Sequence, residues 1–354
     1  MKLSAPVLSR RHLLLSGAAG LAGLAAATTL SGCSSDKGAT ISVLTYDSFE
    51  LPEELITKFE TDTGYTLEFL PVGSGGELVN KLILTKDAPL GDAVFGIDNT
   101  YASRAIDEGV IDTGIEITLP GVADDYLAND STALAPIDVG DVCLNIDTVW
   151  FEENGINPPL SFEDLLEPEY KDLLVAIDPS TSSAGMGWLL ATVGHFGADG
   201  FAEYWAGLMD NGAKIVSSWS DAYYTDFSGG DGQGDYPIVV SYSSSPSYTV
   251  LDDGTNTTAA LLNTAFRQVE YAGVIAGAEH TDGAKAFIEW LLTEEVQEAI
   301  PENLYMYPVN PKATLPESLE KYGPLAGDPE SVTAEEISAN RETWLTTWAE
   351  AVGQ

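Results

Sequence analysis

Positive charge is scarce in this sequence. Its 354 residues carry 15 Lys and Arg against 55 Asp and Glu, a formal net charge of −40 with His neutral. So acidic a chain repels nucleic acid and anionic membrane surfaces, and neither is expected as a partner. The charge favours hydration, fits a saline habitat or an acidic extracellular proteome, and draws cationic solutes, although salt screens that pull beyond about 10 Å. Cysteine is nearly absent, with only Cys33 and Cys143, which excludes a cysteine-rich metal site and a disulfide framework. Histidine is limited to His12, His195 and His280. No internal repeat is visible. The stretch SGGDGQGDY, 228–236, offers Asp231 and Asp235, but the spacing makes no complete calcium loop and reads as a surface insertion.

What is present is apolar material and turn formers. At 44% hydrophobic, with Gly 34 and Pro 18, the chain can build one large or two medium domains with short loops. The N-terminus reads as a targeting segment. Lys2, Arg10 and Arg11 precede an uncharged run from Leu13 to Gly32, which ends in LSGC at Leu30–Cys33. This pattern looks like a lipoprotein signal peptide over 1–32, cleaved before Cys33, whose thiol then carries lipid. SRRHLLL, 9–15, also resembles a twin-arginine export signal. Residues 33–39 then form a polar tether. Removal of 1–32 takes away three basic residues and no acidic ones, leaving 12 against 55, or −43. With Cys33 lipidated, Cys143 has no disulfide partner.

The expected order beyond the tether is β-α-β-α-β: a strand at 40–46, a helix after Pro52 stopped by Gly64, a strand at 65–72, a helix opening at SGGELVNKLIL, and a buried strand at 91–98. Such an order predicts a parallel sheet covered by helices, with ligands at the carboxyl ends of the strands. A second region begins near APIDVGDVCLNID, 135–147. There Ser161 and Asp164 have capping-box spacing, DLLVAIDPS reads as a strand, and DPSTSSAGMGWLLA reads as a turn into a helix. TDGAKAFIEWLLTEEVQEAI, 281–300, is predicted as one amphipathic helix, and a last helix places Ile337, Trp344, Leu345 and Trp348 on one face. Crossing segments near 135–145 and 262–280 predict a two-lobed α/β fold, each lobe a mainly parallel sheet flanked by helices. Lobe 1 is expected over 40–135 and 276–354, lobe 2 over 136–275, with a ligand cleft between them.

Two kinds of residue gather after predicted strands. Tyr46, Trp219, Tyr242, Tyr248 and Tyr305 offer flat faces for an aromatic or cationic ligand. STSSAG around Ser182 and Ser183, and the loop SYSSSPSY with Ser243, Ser244 and Ser245, hold more hydroxyls than helix capping needs. Hydroxyls and N–H groups at a helix start bind a polar group or a phosphate without any lysine. Asp47, Asp98, Asp138 and Asp178 also follow or end strands, either as turn residues or as partners for a cation.

TYDSF (45–49), GIDN (96–99), DPSTSSAGMG (178–187), WSDAY (219–223), VVSYSSSPSY (239–248) and AIPENLYMYPV (299–309) occur in an order that resembles the solute-binding proteins of thiamine ABC transporters, within the type II periplasmic-binding superfamily. The resemblance covers nearly all of the chain beyond the export segment. It implies an extracytoplasmic binder, monomeric and without a cofactor, anchored to the outer face of the cell membrane through Cys33. Thiamine, its monophosphate or its diphosphate would be the ligand, and a membrane permease the partner. It implies aromatic pocket walls at Tyr46, Trp219, Tyr242, Tyr248 and Tyr305, the last a tryptophan in enterobacterial members. A hydroxyl pair toward the phosphate side falls on Ser182 and Ser183, and a loop contact on Tyr242, Ser243, Ser244 and Ser245. An Asp-Gly pair of the family falls on Ser74 and Gly75, so its aspartate is missing here.

Two other readings stand beside this one. A ferric-ion binder would use adjacent tyrosines such as Tyr223 and Tyr224, but no histidine lies near them in sequence. A thiaminase-like enzyme would need Cys143 as an exposed, activated nucleophile, whereas its strand context predicts a small buried side chain.

Overall fold

The computed structural model describes residues 38–121, 126–128, 131–230 and 232–354. The expected signal segment, Cys33, and Asp231 of the expected surface insertion lie outside the described residues. Among the described residues no helix is long and apolar enough to cross a membrane.

β1 (Thr40–Thr45), α1 (Glu53–Thr63), β2 (Thr66–Pro71), α2 (Gly75–Leu84) and β3 (Ala93–Asp98) take the expected order. β1 lies between β2 and β3 and runs parallel to both. Local chemistry sets the ends. Gly64 takes the left-handed conformation (φ 81°) that closes α1, and its N–H donates to the Glu60 carbonyl. Ser74 and Glu77 form a capping box, each side chain accepting the other's backbone N–H.

After α3 (Ala102–Asp107), the chain crosses into its second half along β4 (Leu134–Asp147), followed by α4 (Thr148–Asn154), β5 (Leu174–Ile177), α5 (Ser183–Asp210), β6 (Lys214–Val216) and β7 (Ile238–Tyr242). β5 pairs parallel with β6 and β7, a second parallel set. β8 (Thr258–Val274) carries the chain back. β8 runs antiparallel to β3 and β4, and β7 antiparallel to β4. The parallel sets expected for the two lobes are thereby joined into one mixed sheet, ordered β2-β1-β3-β8-β4-β7-β5-β6. A short β9 (Tyr307–Pro308) adds to β4.

Two expected helices differ. The helix expected over 281–300 is two helices, α6 (Thr281–Leu291) and α7 (Glu294–Leu304). Thr293 between them is extended (φ −66°, ψ 149°). Its hydroxyl donates to the Trp290 carbonyl at 2.7 Å, and Glu294 and Glu295 open the new first turn. At Ser161, the hydroxyl does accept the Asp164 N–H (3.2 Å), but the Asp164 carboxylate accepts the Leu160 N–H rather than that of Ser161. The element these residues open is a single 3₁₀ turn, Glu163–Leu166.

Two apolar clusters pack on the sheet. One gathers β1–β3, α6 and α7 around Phe95, Phe287 and Leu78. The other gathers β5, β7 and α5 around Trp188, Trp205 and Phe162. α8 (Glu317–Tyr322) leads to α9 (Ala334–Val352), the last helix. Ile337, Trp344 and Trp348 of α9 bury in the second cluster, Trp348 meeting Trp205 edge to face at 5.7 Å. Arg341 of the same helix reaches back to the first cluster, its guanidinium 4.1 Å above the Tyr101 ring and donating to the Tyr101 hydroxyl. α9 therefore contacts both apolar clusters.

Trp348→Ala empties a fully buried site and is expected to cost about 3–5 kcal/mol of unfolding free energy by denaturant titration. A loss under about 1 kcal/mol would show that α9 does not complete the second cluster.

Candidate functional site

The loops after β1, β2, β5, β6 and β7 converge on one cleft of about 580 Å³, a size suited to a small organic ligand. All are carboxyl ends of strands in the parallel sets, where helix starts and turns leave backbone polar groups open. The lining holds Tyr46, Ser74, Gly75, Ser182, Ser183, Trp219, Tyr242, Ser244, Ser245, Tyr248 and Tyr305. Ser243 is not among them. Its side chain is buried behind the loop, while its N–H donates to the Asp141 carbonyl at 2.8 Å. The cleft side of that alternation falls to Ser244.

The aromatic wall is built in two parts. Trp219 stacks on Tyr223 with centroids 4.9 Å apart and planes at 13°, and Tyr224 meets both edge on. The indole N–H donates to Ser241 Oγ at 2.9 Å, and Ser241 in turn contacts Ser245 Oγ at 2.8 Å. Ser245 thus helps hold the indole rather than standing free. Opposite, Tyr248 and Tyr305 meet edge to face at 4.7 Å. Tyr305 ends α7 with a left-handed backbone (φ 61°), uncommon for a tyrosine, and its ring is half exposed. The Tyr248 hydroxyl donates to the Pro301 carbonyl.

Hydroxyls come from two places, only one of them a helix start. α5 begins at Ser183, with Ser182 as its N-cap accepting the Gly185 N–H (3.4 Å). The SYSSSPSY loop, in contrast, continues as one 3₁₀ turn, Ser245–Tyr248, so the helix start expected there does not exist. Ser244 Oγ is buried and has no hydrogen-bond partner among the described residues. Ser244 borders the cleft, with that hydroxyl closed off from solvent. The starts of α2 and α5 face each other, and a Cβ on Gly75 would sit 2.6 Å from Ser183 Oγ, so any larger residue there would make that hydroxyl turn away.

The floor is acidic. The Tyr46 ring lies over Gly96 (φ 99°), where a Cβ would collide with it, and the Tyr46 hydroxyl donates to Glu270 Oε2 at 3.3 Å. Gln268 Nε2 donates to Glu270 Oε1 (3.1 Å), and the Tyr242 hydroxyl donates to Gln268 Oε1 (3.3 Å). Glu270 lies directly opposite Asp98 on one side and Asp138 on the other. Burial, then the Asp98 charge, raises Glu270 to about 8. Burial, then Glu270, holds Asp138 well above the usual carboxylate range. Burial also raises Asp98, with hydrogen bonds from Ser183 and Thr100 offsetting part of it. Burial likewise lifts the phenols of Tyr46 and Tyr242 above their usual range.

Of the four aspartates singled out in the sequence, Asp47 lines the cleft and accepts the Gly73 N–H at 2.9 Å. Asp98 and Asp138 lie buried beside Glu270. Asp178 holds its turn by accepting from Ser180 N–H and Oγ (2.7 and 2.6 Å). Sequence reading missed Glu270, together with Glu77, Thr181, Ser217, Ser218 and Met306. The available signal for Glu270 was an acidic residue inside the apolar run VEYAGV; its cleft position comes only from strand register. The lining carries Asp47, Glu77 and Glu270 and, among the described residues, no Lys, Arg or His.

Tyr223 and Tyr224 do line the cleft, but no group of three His, Cys, Asp or Glu among the described residues is arranged to hold a metal. His195 is engaged elsewhere, against Glu163 (2.9 Å) and Glu330 (2.8 Å). Cys143 is fully buried beside Ala265 and Ala326, outside the cleft lining. Burial, then Asp141, pushes its thiol well above the ordinary range. An exposed low-pKa nucleophile is what catalysis would require.

A family model described as bacterial extracellular solute-binding protein matches residues 54–327. The thiamine-binding periplasmic protein of Escherichia coli (strain K12) is 29% identical over 89% of this chain and 94% of its own length. Among solved structures, a periplasmic thiamin binding protein superposes with a TM-score of 0.76 at 28% identity, over 89% of this chain and 96% of that one. Iron-bound HitA from Pseudomonas aeruginosa shares the fold, with a TM-score of 0.70 at 16% identity over 88% of this chain and 99% of that one.

A thiol reagent is expected to leave Cys143 unmodified in the folded chain and to label it fully once denaturant is added. Rapid labelling of the native protein would reopen a nucleophilic role.

Proposed function

The chain belongs to the bacterial extracellular solute-binding proteins, and from that premise we propose that its cleft binds thiamine for uptake by an ABC importer. The observation that carries the reading is a cleft walled by stacked aromatic rings and floored by carboxyl groups, with no basic side chain in its lining among the described residues. Thiamine is a permanent thiazolium cation joined to a flat aminopyrimidine. Ring faces attract such a cation by about 0.5–2 kcal/mol each. Trp219 would supply a fixed stacking face, because Tyr223 backs it and Ser241 anchors its N–H. Tyr46 and Tyr242 would form the base and Tyr248 and Tyr305 the opposite side. Ser182 and Ser183, with the Ser244 segment beside them, would receive the hydroxyethyl group or a phosphate placed on it. The strongly acidic chain disfavours phosphates at long range, so free thiamine is the preferred ligand.

In this reading the ligand enters an open cleft, the halves close, and a membrane permease accepts the closed form. No chemistry is done on the solute. The site of action is extracytoplasmic, as for the family. Lipid on Cys33 would tether the chain to the outer face of the cell membrane after removal of 1–32.

Calorimetric titration with thiamine, its monophosphate, its diphosphate and ferric ion tests the assignment. Thiamine is expected to bind and ferric ion to give no heat. Trp219→Ala should weaken thiamine binding tenfold or more, about 1–3 kcal/mol. Tight ferric binding, or an unchanged affinity in the variant, would reject the assignment or the Trp219 wall. For the anchor, cells fed labelled fatty acid should label the wild-type chain and not Cys33→Ser; equal labelling would remove the lipid.

A further inference from the structure

Three neighbouring strands place three carboxyl groups in a row beneath the cleft. Asp98 on β3 lies opposite Glu270 on β8, and Glu270 lies opposite Asp138 on β4. Directly opposed side chains in a sheet sit about 5 Å apart, and like charges there repel. Asp98 finds donors, the Thr100 N–H at 2.8 Å and the Thr100 hydroxyl at 2.6 Å. Asp138 has none. Both of its oxygens are buried, and neither receives a hydrogen bond from an N–H or O–H among the described residues. What faces it is the Glu270 carboxyl, and two carboxyls hydrogen-bond only when one carries a proton. Glu270, in turn, is the member of the row that lines the cleft.

We infer that Glu270 is the residue that recognises positive charge at the cleft floor, and that a cation bound there displaces one proton from the Asp138–Glu270 pair. In the empty cleft the Glu270 O–H bond is intact, and the Asp138–Glu270 pair carries no charge. When an aromatic cation settles on the floor, that bond breaks, the proton leaves to solvent, and the carboxylate faces the ligand. Asp138 keeps the remaining proton and donates it to Glu270. The inference rests on the proposed function only in taking the ligand to be a cation.

The other groups packed around Glu270 support this balance. Asp98 from β3 and Asp138 from β4 are acidic, Tyr46 from the loop after β1 and Tyr242 from β7 are neutral phenols, and Gln268 is its neighbour on β8. None supplies the positive charge that would ionise it without a ligand. Arg341 reaches toward Asp98 from α9 but is engaged with Tyr101. Glu270 stays protonated up to about pH 8, so the cost of ionising it is largest at low pH and vanishes above that value. Cation affinity therefore rises with pH, by up to tenfold per unit, and levels off above about pH 8. A neutral ligand gains nothing from the same change, so the floor discriminates by charge.

Calorimetry of the full chain with thiamine at pH 7, repeated in buffers of different ionisation heat, should show a proton released on binding. Affinity measured from pH 6 to 8.5 should rise. Glu270→Gln, nearly the same shape but unable to ionise, should lose the release, flatten the pH profile and weaken thiamine tenfold or more. Asp138→Asn keeps a neutral donor beside Glu270 and should leave both the proton release and the pH slope in place; their loss in this variant would place the released proton on Asp138 and overturn the assignment to Glu270. Carboxyl carbon NMR without ligand should show one glutamate Cδ signal titrating far above ordinary glutamates in the wild type and missing from Glu270→Gln. Buffer-independent heats, a pH slope that survives in Glu270→Gln, or no such NMR signal would each overturn the inference. If thiamine failed to bind the wild type, the proposed function would fall, and the ligand-free NMR titration would still decide the resident proton.

Discussion

The antiparallel pairing of β4 with β8 runs from Leu134 opposite Gly273 to Asp147 opposite Thr258, and it is the stretch of backbone that both apolar clusters share. Two parallel sets flank it, each built from strands whose carboxyl ends open toward the same side. Had the halves been linked by loops alone, the walls would have no fixed distance from one another. Because the link is a hydrogen-bonded ladder, the loops after β1 and β2 and those after β5, β6 and β7 meet at a set separation. The ladder also shifts register between Pro136 and Asp138, and the residue emerging from that irregularity is the one that stands opposite Glu270.

That constraint explains the division of labour in the cleft. The walls can be built locally, from residues close in sequence: Trp219 with Tyr223, Tyr248 with its own 3₁₀ turn, Ser182 and Ser183 at the head of α5. The floor cannot. Tyr46, Asp98, Asp138, Tyr242 and Glu270 come from five separate segments and meet only because their strands lie side by side. A protein so rich in carboxylates usually keeps them in water. Here it buries three in adjacent strands, where loss of water raises all three above surface carboxylates. Ligand charge then has an energetic partner inside the fold rather than on the surface, where salt would screen it.

The packing of α9 carries a related lesson. Its apolar face was evident from the spacing of Ile337, Trp344 and Trp348, but spacing does not say which core receives it. The answer lies in the second cluster, where Trp205 offers an edge-to-face partner, while Arg341 on another face of the helix holds Tyr101 of the first. The break at Thr293 is of the same kind. Periodicity continued through it, yet the side-chain hydroxyl found a better partner in the preceding carbonyl and two glutamates were available to begin a new helix.

By itself the sequence determined the elements with strong local chemistry: the alternating and apolar strands, the glycine stop at Gly64, the helix openings at SGGELVNKLIL and DPSTSSAGMGWLLA, the crossing segments, and the aromatic and hydroxyl residues placed after strands. These depend on near neighbours, within a turn or a pleat. Tertiary structure alone decided that Ser244 and not Ser243 borders the cleft, because that depends on the twist of a turn shorter than any helix. It decided that Ser245 braces Trp219, through Ser241 on the neighbouring strand. And it decided that Glu270 is the carboxyl at the floor, since a one-residue slip of β8 against β4 would have turned that side chain to the other face of the sheet.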